Sequence, residues 1–211
     1  PEALRNYLLR LGWGHGDDEI ISTEQAVEWF TLEAVGRGPA RIDFAKMQNL
    51  NGHYIRAADD RRLADLIRPA VEAAAGPLDG TAMARLEAGM TGLKQRAKTV
   101  NELTDNALFY VLPRPLVLTD KARQILDETE AGLLAGLRDL LRALDPWSEP
   151  AIEEAVRQFA EAQGSKLGKV AQPLRAALTG STTSPGVFEV AAILGREETL
   201  GRLDDAISQR A

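Results

Sequence analysis

Apolar residues recur at helical spacing from one end of this chain to the other, and no stretch alternates apolar with polar residues as a half-buried strand would. That property restricts the fold to helix packed on helix, an all-α class. Glycines and prolines then divide the pattern. Ala3, Leu4, Tyr7, Leu8 and Leu11 share one face before Gly12. Ser22-Thr23 opens a second segment whose apolar residues are Ala26, Val27, Trp29 and Phe30. Asp43 is placed to cap a third, with Met47, Leu50, Tyr54 and Ile55 facing inward. A fourth starts at Asp59 or Asp60 and turns Leu63, Leu66, Ile67 and Val71 inward. It carries Pro69 as a candidate kink and stops at Gly76-Pro77. From Asp79 to Lys98 the same period gathers Met83, Leu86, Met90 and Leu93, the methionines as core fillers.

Thr99-Val-Asn-Glu102 matches a capping box, in which hydroxyl and carboxylate each satisfy a free backbone amide. Leu103, Ala107, Leu108 and Val111 follow, until Pro113-Arg114-Pro115 ends the helix. Thr119-Asp120 caps an apolar helical stretch that reaches Leu144 before Asp145-Pro146. Ser148-Glu149-Pro150 opens another on Ile152, Ala155, Val156 and Phe159, closing at Gly164, and Glu197 to Ser208 supplies the last, with Leu200, Leu203 and Ile207 inside. Between these lies the most distinctive stretch, Arg175 to Val190. Leu174, Ala177 and Leu178 give an apolar face, and Gly180 is suited to the left-handed conformation that closes a helix. Ser184-Pro185 then reads as N-cap and first-turn proline of the next helix. From Gly164 through Thr183 there is no acid, and Lys166, Lys169 and Arg175 concentrate positive charge in a chain whose formal net charge is −6.

The totals remove several classes of function. Without cysteine there is no disulfide framework and no thiolate metal site, and two histidines leave little other metal chemistry. His15, beside Asp17, Asp18 and Glu19, reads as part of a solvated loop. Gly12, Gly14 and Gly16 are not preceded by a strand, so they do not make a phosphate loop. No apolar run approaches the roughly 20 residues of a membrane span. An acidic chain is not a nonspecific nucleic-acid binder with basic surface all round, although it leaves room for a local basic face. Aromatics are 5% of residues, which limits stacking to one or two bases. The chain opens at Pro1 directly in a helical pattern, and the expectation is a piece of a larger protein.

Gly38-Pro-Ala-Arg-Ile-Asp-Phe-Ala-Lys-Met-Gln-Asn-Leu-Asn51, with His53-Tyr-Ile-Arg56 after it, closely resembles the post-catalytic helical region of bacterial glutamyl-tRNA synthetases. The opening Leu8-Leu-Arg-Leu-Gly-Trp-Gly-His-Gly-Asp17 fits the same family. So do Leu174-Arg-Ala-Ala-Leu-Thr-Gly180, Ser184-Pro-Gly-Val-Phe188 and Leu194-Gly-Arg-Glu197. Gly38 stands where the family usually has serine, and Asn49 where it often has tryptophan. The resemblance implies a class I aminoacyl-tRNA synthetase fragment that lacks the N-terminal catalytic domain. It implies a helical stem-contact domain over residues 1–58, then two helical anticodon-binding subdomains over 59–113 and 114–211. The whole enzyme would use ATP and magnesium to attach glutamate to tRNA, whereas this part holds no cofactor and is not catalytic. Expected partners are glutamate tRNA, with glutamine tRNA left open, and the protein's own catalytic domain, in a cytoplasmic monomer. The anticodon-reading positions carried over are Arg96 (or Lys98), Arg175, Ser184, Pro185 and Val187. Lys46, Arg56, Lys98, Lys166 and Lys169 are expected to touch the tRNA backbone or stem. The competing reading is an all-helical adaptor that binds a protein helix beside the leucines from Leu133 to Leu144.

Overall fold

In the computed structural model, which describes residues 1–130 and 132–209, every regular element is helical, as the apolar period requires. Helices α1 (Glu2–Leu9), α2 (Thr23–Trp29) and α3 (Phe44–Ala57) form a small first group. Its buried apolar side chains are few, chiefly Tyr7, Trp13, Ile21 and Ile55. Polar contacts to the backbone complete the fit: Asn6 Nδ2 donates to Glu19 O at 3.0 Å, the Asp43 N–H to Tyr7 Oη at 2.5 Å, and Tyr54 Oη to Ile21 O at 3.2 Å. Ser22 and Gln25 close the start of α2 as a reciprocal capping box. The expected inward faces are only partly inward. Leu4, Leu8, Val27 and Phe30 face solvent, Val27 at 79% exposure, because three short helices are too thin a layer to cover both sides of each.

Helices α4 (Asp60–Ala75), α5 (Gly80–Lys94) and α6 (Val100–Ala107) pack together, and a single 3-10 turn, Leu108–Tyr110, continues α6. Leu63, Ala64, Ile67 and Val71 take the interface of α4, leaving Leu66 half exposed, against expectation. The helix continues through Pro69, which faces solvent, so water can serve the carbonyl deprived of its partner. Tyr110 is seated over Gly89, where a Cβ would run into its ring. At the start of α6, Thr99 Oγ1 accepts from Glu102 N as expected, at 3.1 Å. The Glu102 carboxylate instead reaches one residue further back, accepting from Lys98 N at 2.8 Å.

In the last group, α10 (Leu167–Thr179) is surrounded by α7 (Asp120–Glu128), α8 (Leu133–Ala143), α9 (Glu149–Ala162), α11 (Val187–Leu194) and α12 (Arg196–Ser208). The stretch from Thr119 to Leu144 is two helices, since α7 ends against Thr129 and Gly132, at φ +92°, starts α8. From Pro173 to Gly180 every residue of α10 and its cap is buried except Arg175. Gly180 has φ +68°, and a Cβ there would sit 2.7 Å from Val117 O. The Thr119 N–H donates to Gly180 O at 2.9 Å, so the segment joining the second and third groups is pinned across the end of α10. Arg202, 2% exposed, donates to Leu178 O at 2.6 Å and to Glu198 Oε1 at 2.8 Å, serving a carbonyl that the helix end leaves free. The second and third groups meet where Gly92 of α5 faces Pro185 and Glu189, and where Arg85 Nη2 donates to Leu194 O at 2.8 Å. Among the described residues no helix is long and apolar enough to cross a membrane.

Candidate nucleic-acid interface

Beyond α10, hydroxyl groups replace the helical ladder. Thr179 Oγ1 donates to Arg175 O at 2.8 Å and accepts from Ser181 N at 3.3 Å, while Ser181 Oγ accepts from Thr183 N at 3.3 Å. Ser184 does not cap α11: the N-cap is Gly186, and Pro185 precedes it instead of occupying the first turn. Arg175 gives the physical reason. Its Nη1 donates to Ser184 Oγ, to Ser184 O at 3.1 Å and to Pro185 O at 2.7 Å, and this draws the serine inward to 5% exposure. Burial first, then the charge of Arg96, lower the pKa of the Arg175 guanidinium.

Across from this loop, α5 stops at Lys94 and leaves Arg96 exposed on the following turn. Between turn and loop opens a cleft of about 540 Å³, with Arg96, Asn106 and Phe109 on one side and Thr179, Ser181, Thr183, Ser184 and Pro185 on the other. Behind it lies Glu189, whose pKa is raised by burial and then by Glu149, and pulled the other way by the Gly186 N–H and Arg96. The wall therefore carries the cation of Arg96, the carboxylate of Asp105 and the hydroxyls of Thr179, Ser181 and Thr183. Those are the groups that hydrogen-bond unpaired bases, and Phe109 adds an apolar ring on which a base could stack.

The structure thus brings Arg96, Ser184 and Pro185 to one cleft, with Arg175 behind the loop as its clasp. Val187 is 3% exposed, so its side chain is core and only its backbone is near the turn. Lys98 is exposed on the same turn as Arg96, beside Arg56 of α3. Lys46 stands apart, on the wall of a second opening of about 1040 Å³ that it shares with Arg10, Arg41 and His53. Lys166 and Lys169 are exposed at the opposite end of α10 from the loop, roughly 20 Å away at the rise of an α-helix. Sequence reasoning missed Asn106, Phe109, Thr179 and Thr183. Phe109 carried a signal: in a chain with few aromatics it falls off the buried face made by Leu103, Ala107 and Tyr110.

Known proteins match the chain over nearly its whole length. The family described as anticodon binding domain matches residues 62–207. Glutamate–tRNA ligase 2 of Paramagnetospirillum magneticum is 61% identical over 209 residues, 98% of this chain and 44% of that protein. Its counterpart in Rhodospirillum centenum is 59% identical over 207 residues, again 98% and 44%. A crystal structure of a glutamate tRNA ligase from Elizabethkingia meningosepticum, in complex with its amino acid, superposes with TM-score 0.84 at 26% identity, covering 100% of this chain and 41% of that one. The chain therefore spans less than half the length of the curated relatives it matches.

Proposed function

The chain belongs to the anticodon-binding domain family, and from that premise we propose that it is the tRNA-recognising portion of a glutamate–tRNA ligase. One observation carries the reading: Arg96 and the Ser184-Pro185 loop, far apart in sequence, share a cleft of a size and polarity suited to unpaired bases. Arg96 offers a planar fork to base edges, the hydroxyls of Ser181 and Thr183 offer hydrogen-bonding groups, and Phe109 offers a stacking surface. Arg175 acts through the loop it clasps. Lys98, Arg56, Lys46, Lys166 and Lys169 position the backbone without reading sequence.

Activation of glutamate with ATP and magnesium is assigned to the part of such a ligase that this chain does not span. Anisotropy titrations with glutamate tRNA, glutamine tRNA and single-base anticodon variants test the reading. Wild type should prefer the cognate anticodon. Arg96→Lys keeps the charge and loses the fork, so it should forfeit about 1–3 kcal/mol of that preference, the scale of a bidentate base contact in DNA, with an unchanged melting temperature. Equal binding of all these RNAs by the wild type would dismiss anticodon recognition.

A further inference from the structure

Residues from two distant segments meet at the joint between α3 and the turn after α5. Asn51 Nδ2 donates to Lys98 O at 2.7 Å, which fastens that turn to the helix. Gly52 leaves a gap beside it. The point a Cβ would occupy there is 3.2 Å from Arg56 Nη1 and 3.4 Å from Lys98 Cγ, so two exposed cationic side chains lean on the same spot. Neither is neutralised: among the described residues no ion pair engages Arg56 or the Lys98 side chain. The neighbouring groups are otherwise committed. Lys94 is held by Asp60 at 2.6 Å and by Ala58 O at 2.9 Å, and Glu102 spends an oxygen on the Lys98 backbone N–H. Cationic side chains that converge without an ion pair of their own favour an anion that bridges them.

We propose that Arg56 and Lys98 together grip a single phosphate of the bound RNA. A phosphodiester brings one negative charge and two free oxygens, which suits a guanidinium fork on one side and an ammonium on the other. Lys98 lies on the turn that carries Arg96, and Asn51 ties that turn to α3. A phosphate gripped there therefore links the placement of the RNA stem to the placement of the base-reading arginine. The inference rests on the tRNA reading above.

A double-mutant cycle tests it, with Arg56→Gln, Lys98→Gln and the double variant titrated against glutamate tRNA at one fixed salt concentration, and melting curves recorded for each. A shared phosphate predicts that each single variant loses about tenfold in affinity and that the double variant loses no more than about threefold beyond either single one. Losses that multiply would assign the two residues to separate phosphates and overturn the shared grip. Unchanged affinity in all three variants, with wild type binding well, would overturn the grip while leaving the tRNA reading in place. Failure of wild type to bind tRNA would remove that reading, and the grip with it.

Discussion

Glu189 is a carboxylate held where its charge is disfavoured, half-buried between Gly92 and the loop before α11. Its folded-state pKa is raised by burial and by Glu149, so the native protein holds that proton more tightly than the unfolded chain does. The stability this contributes is complete below the ordinary value of 4.5 and is lost as the pH rises through the folded-state value. At neutral pH the ionised group therefore opposes folding. Glu189→Gln should raise the melting temperature at pH 7, with the difference from wild type shrinking to nothing below the ordinary carboxylate pKa, as calorimetry across that range would record. Removal of an anion near Arg96 should also strengthen RNA binding. What sequence conveyed at this scale was residue type more than direction. The Arg175 and Ser184 pair was visible as chemistry, yet the clasp between them depends on carbonyls presented by the loop. Arg202 was unreadable as a buried residue, because its burial is set by Leu178 O on another helix.

Among elements, the packing of α5 on α11 decides whether the two walls of the cleft keep their separation. Gly92 is the close approach: a Cβ there would lie 2.7 Å from Glu189 Oε1 and 2.8 Å from Pro185 Cβ. Alanine is the better helix former by about 1 kcal/mol, but overpacking costs about 1–3 kcal/mol. Gly92→Ala is therefore expected to lower the urea midpoint and to widen the cleft, weakening cognate tRNA binding more than nonspecific binding. A midpoint at or above that of wild type would show that the two helices yield without strain. The helices themselves were legible in the sequence because period and punctuation coincide, as at Asp43, Thr99 and Gly180. The misplaced features have physical causes. Ser184 looked like a cap but was recruited by Arg175, and Leu66 looked like core but lies on a helix whose Leu63, Ala64, Ile67 and Val71 took the interface.

At the scale of the whole molecule, the formal charge of −6 and the proposed tRNA partner are reconciled by the placement of cations. Exposed lysines and arginines lie beside the cleft, at the α3 joint and at the start of α10. Lys166→Ala and Lys169→Ala, far from the cleft, should weaken binding to all tRNAs alike. Each should reduce the slope of log affinity against log salt by roughly 0.7 to 0.9. An unchanged slope would confine the RNA to the cleft end of α10. The burial of that end, from Pro173 to Gly180, has a further consequence for the thermodynamics of recognition. A loop rooted in an enclosed turn has little conformational entropy left to lose. The ordering penalty of complex formation then falls on the nucleotides, and an RNA whose anticodon is already unstacked would bind tighter than a flexible one of identical sequence.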